Sequence, residues 1–300
     1  MAGEDQAPLA PGLYLVATPI GNLGDITLRA LDVLRRADRI ACEDTRQTQK
    51  LLNHFQIATP TVSCHEHNER QRATELVEAI QTGSRIAVVS DAGMPGISDP
   101  GAVLVAAAIA AGVPVVPIPG ANAALTALVA SGLPAGEFHF IGFLPERVGA
   151  RRTRLEELAA LAGKAGSPQT LVFYEAPHRI LETLGDLEAT WGAEAHVVLA
   201  RELTKIHEEF LRGTVAEVRR ELAGRPQVRG EIVLLAEALP HDGSETRQAV
   251  KQEGVLARLE HIQAETGADE KEALKRLARE LGQSKSEVYR ELQRERARRR

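Results

Sequence analysis

RIAVVSDAGMPGISDPG, residues 85–101, is the stretch that decides the fold. Its first six residues form a short apolar run of the kind that becomes a strand buried on both faces of a sheet. The twelve that close it, SDAGMPGISDPG, hold three glycines, two prolines and two aspartates. That is far more turn chemistry than a simple strand-to-helix joint requires. Residues 100–111 then read as a helix, with Asp99 as its N-cap and Pro100 as its first residue. Outward from this stretch the same alternation runs over residues 13–133. Further apolar strands are LYLVA (13–17), RIAC (39–42) and VPVVPI (113–118). Helical stretches at 27–36, 45–54, 68–81 and 121–131 separate them, and SGLP (131–134) stops the last. Buried strands alternating with helices predict a parallel sheet covered on both faces.

A second α/β block follows, with strands expected at 138–143, 170–174, 196–200 and 231–236. Its helices are expected at 150–162, 177–190 and 215–222. PHDGSET (240–246) is polar and turn-rich and reads as a linker. Beyond it the pattern is helical. Residues 270–295 read as a helix, a turn at Gly282, a Ser284 cap completed by Glu287, and a second, basic helix. Two helices joined in this way match a helix-turn-helix pattern. The expected domains are therefore 12–134, 135–239 and 240–300.

Composition narrows the class. The 300 residues are 44% hydrophobic, 26% charged and only 3% aromatic, so the core must be aliphatic and the chain is neither disordered nor fibrous. Two cysteines, Cys42 and Cys64, supply neither a disulfide framework nor a four-thiolate zinc site. They read as small buried hydrophobes in a reducing compartment. In CHEH (64–67) neighbouring side chains point different ways, so no metal is expected there. The acidic N-terminal residues have no signal-peptide pattern, and the longest apolar run, 103–111, is about half a membrane span. A soluble, cytoplasmic protein with no membrane partner is expected. The net charge of −5 conceals an asymmetry. Residues 271–300 carry 11 Lys/Arg against 5 Asp/Glu, a balance of +6, which leaves the rest at −11. A basic segment on an acidic body points to polyanion binding by that segment.

In an open parallel sheet, ligands bind beyond the carboxyl ends of the strands. Four unusual loops fall there. ATPIGNLGDIT (17–27) is neither GxGxxG nor a Walker loop, but Pro19 and Gly21 make a turn whose backbone can approach a ligand. CEDTR (42–46) sets Glu43, Asp44 and Arg46 side by side. In the third loop Asp91 stands at a strand end and Gly93 and Gly96 keep side chains away. PIPGANAAL (117–125) turns at Gly120 into small residues. Together they describe a pocket lined by backbone, small residues and a few carboxylates. The second block adds FYEAPHR (173–179) and ARELTKIHEE (200–209). Arg179, Arg201 and Lys205 are placed there to meet phosphate, and Glu175, Glu208 and Glu209 are candidate bases.

These motifs, with FIGFLP (140–145), occur in one order that resembles the ribosomal RNA small subunit methyltransferase I family of the tetrapyrrole methylase superfamily. The resemblance runs from residue 13 to 236 and includes the helical C-terminal part. It implies two α/β domains with a ligand cleft between them, plus a small all-helical C-terminal module, in a homodimer. It implies an enzyme that moves a methyl group from S-adenosyl-L-methionine to the ribose 2′-hydroxyl of a cytidine. The acceptor would lie in the decoding region of 16S rRNA in the small ribosomal subunit. Cofactor contacts would fall on Pro19, Gly21, Asp91, Ala92, Gly93, Met94, Gly120, Asn122, Ala123, Tyr174 and Ile232. Met94 stands where the family carries Thr, and Asn122-Ala123 where Ser-Ala is usual. A neutral ribose hydroxyl is a poor nucleophile, so a base or a neighbouring cation is required. Glu43, Asp44 and Arg46, with Lys205 and Glu208 opposite, are the candidate catalytic residues. Two other readings stay open: a superfamily methyltransferase acting on a tetrapyrrole or a protein side chain, and a ligand-sensing nucleic-acid-binding regulator. Against the tetrapyrrole, the first loop reads TPIGNLGD rather than GxGPGD.

Overall fold

The computed structural model describes residues 9–65, 68–99, 101–162, 168–238, 254–266, 269–281 and 285–298. They divide into two compact units, one drawn from residues 9–158 and 168–238, the other from 159–162 and 254–298. The first unit holds two five-stranded sheets. In the first sheet the strands are β1 (Gly12–Val16), β2 (Arg39–Cys42), β3 (Thr61–Ser63), β4 (Arg85–Val88) and β5 (Val115–Ile118), in the order β3-β2-β4-β1-β5. Every pairing is parallel, as the continuous apolar strands predict. The helices are α1 (Leu28–Arg36), α2 (Thr45–His54), α3 (Glu69–Gln81), α4 (Ala102–Ala110) and α5 (Ala123–Ser131).

Alternation along β1 divides the core. Tyr14 and Val16 join Leu31, Leu34 and Leu52 on one face, while Leu13 joins Leu76, Ile80 and Leu104 on the other. Helix α1 therefore covers one face and α3 with α4 the other. The neighbours β1 and β4 send their chains to opposite faces, which makes the gap beyond their carboxyl ends a topological switch point.

The second sheet is built from β6 (Phe138–Phe143), β7 (Gln169–Glu175), β8 (His196–Arg201), β9 (Glu209–Thr214) and β10 (Ile232–Ala238), in the order β6-β7-β10-β8-β9. It is mixed: β6 and β7 are parallel and the other pairs antiparallel. Helices α6 (Val148–Ala162), as far as Leu158, α7 (Ile180–Trp191) and α8 (Val215–Ala223) belong to this half. Helix α5 joins the halves. Its Ala124, Ala127 and Leu128 pack with Val172, Val198, Val233 and Leu235 of the second sheet in one core. Burying each valine or leucine of this core contributes about 1.5–3 kcal/mol. Two strands escape the sequence reading, β3 and β9. The first is three residues long and the second buries only Leu211, so neither has an apolar run to announce it.

The second unit contains α9 (Val255–Thr266), α10 (Glu270–Leu281) and α11 (Lys285–Arg298), closed around Leu259, Ile262, Leu277, Val288 and Leu292. The expected linker at 240–246, the Gly282 turn, the Ser284 cap, Pro100 as first helical residue, and Glu66 and His67 of CHEH lie outside the described residues. Both cysteines are free and buried. Among the described residues, no helix is long and apolar enough to cross a membrane.

One expectation is corrected. The N-cap of α4 is Gly101, not Asp99, and no side chain of its own loop caps it. Glu69, at the start of α3, supplies the acceptor: one carboxylate oxygen takes the Gly101 N–H at 2.7 Å and the Val103 N–H at 3.2 Å. Asp99 is left to do something else.

Candidate active site

The four loops of the first sheet meet, and hydrogen bonds hold them. Thr18, just past β1, and Gly93, past β4, exchange both backbone hydrogen bonds at 3.0 Å. The Thr18 hydroxyl donates to the Ser90 carbonyl at 3.1 Å, and the Ser90 hydroxyl to the Gly93 carbonyl at 3.0 Å. Gly93 has φ +87°, which an L side chain would adopt only under strain. The Asp44 N–H reaches the Asp91 carboxylate at 3.4 Å, tying the second loop to the third. Gly120 passes so close to β1 that an added Cβ would lie 2.7 Å from the Ala17 Cβ.

Where these loops face the second sheet lies a cavity of about 360 Å3. From the first sheet's side it is lined by Ile20, the segment 92–94, Ile97, Ser98, Asp99, Asn122 and Ala123. From the second come Phe143, Tyr174, Glu175, Ala176, Pro177, Leu203, Glu231, Ile232 and Val233. Phe140 and Phe143 both meet the Tyr174 ring edge-on, with centroids 5.0 and 5.8 Å away. Its hydroxyl accepts the Ala124 N–H, and burial pushes its pKa above the usual phenol value. The space is largely apolar with a few polar groups, the composition of a small-molecule site.

Of the expected cofactor residues, Ala92, Gly93, Met94, Asn122, Ala123, Tyr174 and Ile232 line this cavity. The Asn122 side chain is committed to capping α5, accepting the Leu125 N–H at 3.0 Å. Pro19, Gly21, Asp91 and Gly120 stand in the loops behind the wall. The candidate catalytic residues lie around the cavity but do not line it. Asp44 caps α2 and pairs with Arg46 at 3.1 Å, which holds its carboxyl below the usual range. Arg46 instead borders a separate polar hollow with Gln49, Lys50 and Asn53. Lys205 bridges Glu202 at 2.7 Å and Glu231 at 3.0 Å; burial pulls its ammonium down, but the two carboxylates more than offset this and hold it above the usual range. Glu208 accepts the Thr204 N–H at 2.6 Å, and Glu43 is exposed.

The Lys205 loop is itself anchored to the first sheet. The Thr204 hydroxyl accepts the Asn22 N–H at 3.1 Å, and Gly21 lies against the Lys205 stem. Glu202 and Thr204 adopt φ of +52° and +65°, unusual for residues with side chains and found where a loop's shape is enforced.

Sequence reasoning assigned Asp99 the wrong task and passed over Ile20, Ile97, Leu203, Glu231 and Val233. The apolar character of Ile20, Ile97, Leu203 and Val233 reads as core from sequence alone, and only the facing of two sheets turns it into a wall; Glu231, just before a strand, carries no signal of its own. Among the described residues, no three His, Cys, Asp or Glu side chains gather as a metal site would need.

The family described as Tetrapyrrole (Corrin/Porphyrin) Methylases matches residues 12–219. A curated relative from Halalkalibacterium halodurans, named ribosomal RNA small subunit methyltransferase I, is 48% identical over 92% of this chain and 93% of its own. Relatives of the same name from Bacillus subtilis and Vibrio cholerae are 45% and 53% identical, over 92% and 75% of this chain and 92% and 77% of theirs. Among solved structures, the methyltransferase CobJ superposes with a TM-score of 0.55 at 21% identity, over 75% of this chain and 93% of its own. A uroporphyrin-III C-methyltransferase from Thermus thermophilus, complexed with S-adenosylhomocysteine, gives 0.51 at 20% identity over 75% and 96%. These two share the fold. With a family match over most of its length and relatives near half identity, the chain belongs to the ribosomal RNA small subunit methyltransferase I family of tetrapyrrole methylases.

Proposed function

We propose that this chain is an S-adenosyl-L-methionine-dependent methyltransferase. Its acceptor is the ribose 2′-hydroxyl of a cytidine in the decoding region of 16S rRNA, and it acts on the small ribosomal subunit as a cytoplasmic homodimer. The observation that carries the reading is the cavity at the switch point, in a family whose relatives bear an rRNA methyltransferase name. The residues present fit the cofactor. Ile20, Ile97, Leu203 and Val233 offer apolar walls to a flat nucleoside, and Gly93 brings bare backbone to the space. Glu175 and Glu231 add carboxylates to its wall, suited to a cation.

When bound, S-adenosylmethionine supplies an electrophilic methyl carbon on a sulfonium centre. In this reading Ala92, Gly93 and Met94 border its methionine part, and Asn122, Ala123, Tyr174 and Ile232 its adenosine. Pro19, Gly21, Asp91 and Gly120 shape the loops that carry them. Glu43, Asp44 and Arg46, with Lys205 and Glu208 opposite, flank the acceptor strand. The protein's main contribution is to hold donor and acceptor in line and exclude water. The test is incubation with methyl-labelled S-adenosylmethionine and small subunits lacking the modification. Label should enter rRNA at one cytidine and make the following phosphodiester bond resistant to alkali. Label on a base, a protein side chain or a tetrapyrrole would overturn the reading.

A further inference from the structure

A ribose hydroxyl must lose its proton as the methyl group is transferred, and the residues flanking the acceptor are poorly suited to take it. Asp44 is a helix cap paired with Arg46, and Glu208 is engaged by the Thr204 N–H. Three carboxylates line the cavity itself. Glu175 is buried and saturated by the Ala176 N–H at 2.8 Å, the Thr183 hydroxyl at 2.6 Å and the Arg179 guanidinium at 3.3 Å. Glu231 is mostly exposed and paired with Lys205. Asp99 is different: it is half-buried, lines the cavity, and is relieved of capping α4 because Glu69 does that from another helix. Its position is also enforced. Ser98, immediately before it, has φ +60°, and Gly142 beside a register shift in β6 leaves room for the Ser98 side chain, with an added Cβ 3.4 Å from its hydroxyl. A strained residue of this kind, held beside a cavity, marks a place where geometry serves function.

We propose that Asp99 is the general base of methyl transfer, accepting the ribose 2′-hydroxyl proton; this rests on the reading of the cavity as the methyl-transfer site. The ribose oxygen forms a bond to the methyl carbon as the carbon–sulfur bond breaks and sulfur keeps the electron pair. The hydroxyl proton passes to an Asp99 carboxylate oxygen. A cationic donor, a neutral alcohol and a carboxylate thus become a neutral thioether, a methyl ether and a carboxylic acid. The groups facing Asp99 are the carboxylates of Glu43 and Asp91, the Ser90 hydroxyl and the Tyr174 phenol. Burial pushes its carboxyl up to about 6, Glu43 adds to the rise, the Ser90 hydrogen bond opposes it, and Asp91 adds again. A base with that acidity is deprotonated at neutral pH yet strong enough to share a proton in the transition state.

The experiment compares wild type with Asp99→Asn. The variant should lose about 10²–10⁴-fold in the single-turnover rate at pH 7.5. Calorimetry should give it wild-type affinity for both S-adenosylmethionine and S-adenosylhomocysteine. The wild-type kcat/KM should fall on the acid side with a midpoint near 6, and that limb should vanish in the variant. Carboxyl-carbon NMR of the wild-type protein without ligands should show Asp99 titrating in the same range. Near-wild-type rates in Asp99→Asn would overturn the proposal. So would weakened S-adenosylmethionine binding with S-adenosylhomocysteine binding intact, which would make Asp99 a cation site. A wild-type protein that binds the donor but methylates no rRNA ribose would instead bring down the function reading, and the proposal with it.

Discussion

Among the described residues, two helix N-termini are capped by glutamates from distant parts of the chain. Glu69 serves α4 across 32 residues, and the two Glu295 oxygens accept the Val255 and Leu256 N–H groups of α9 across 40 and 39. In both cases a glycine precedes the helix, Gly101 with φ +134° and Gly254 with φ +85°, so no local side chain is available. A borrowed carboxylate satisfies the orphan donors and favours the positive end of the helix. Glu69→Ala should lower stability by about 1–2 kcal/mol, seen as an earlier urea midpoint with unchanged slope. Amide exchange should rise first at Val103. Unaltered exchange there would mean the cap contributes nothing. At Gly120 the issue is space. Gly120→Ala puts a methyl group against Ala17 and should cost about 1–3 kcal/mol. Ala17→Gly in the same chain should recover much of that loss, and a double-mutant cycle measures the recovery. Additive losses would show that the two positions do not compete for the same volume.

At the scale of elements, legibility followed burial. Strands β1, β2 and β4 and helices α1 to α3 are readable because their apolar periodicity matches one buried face or two, whereas α4 and α5, apolar nearly all round, are readable from the turns that bound them. The motif loops are readable as a pocket because glycine and proline mark where a chain turns sharply. What the sequence could not show is which carboxylate in a loop is a cap, an ion-pair partner or a cavity wall. Asp44, Glu208 and Asp99 look alike in sequence and differ only in what lies opposite them. Strand β9 was hidden for a related reason, since polar pairing rather than apolar burial holds much of it. Glu209 at its start accepts hydrogen bonds from Arg225 at 2.7 Å and from Arg201 on β8 at 2.9 Å. Chiefly through Arg225, its carboxyl is lowered to about 2 against an ordinary 4.5. A depressed carboxyl adds stability above its unfolded value, and that stability is lost as pH falls from about 4.5 toward 2. Discounted for partial exposure, the contribution is about 2 kcal/mol at neutral pH. Glu209→Gln should therefore lower neutral-pH stability and flatten the fall in stability between pH 4.5 and 2, as followed by urea melts at stepped pH. A variant with the same acid dependence as wild type would place that proton uptake elsewhere.

At the scale of the whole molecule, an acidic chain is expected to handle a polyanion. The balance of −5 averages a +6 segment, residues 271–300, with a remainder at −11. The second unit has its own aliphatic core, so its charges can sit outside: Lys271, Lys275, Arg276, Lys285, Arg290 and Arg294 are all exposed. Tyr289, also exposed, stands beside Arg290 and offers a ring on which an unpaired base can stack. If these groups meet RNA phosphates, affinity for the small subunit depends on salt through counterion release, with each phosphate contact adding about 0.7–0.9 to the slope of log K against log salt. Replacing Lys275, Arg276, Arg290 and Arg294 together by Gln leaves the helical core untouched. This variant should bind S-adenosylmethionine as wild type does, bind small subunits more weakly, and show a slope shallower by about 2–4, near one unit per lost contact. Truncation before residue 245 should reproduce the loss of subunit binding and spare the cofactor. An unchanged slope in the quadruple variant would move the RNA-binding surface to the acidic body, where the hollow bordered by Arg46 and Lys50 would be the next place to substitute.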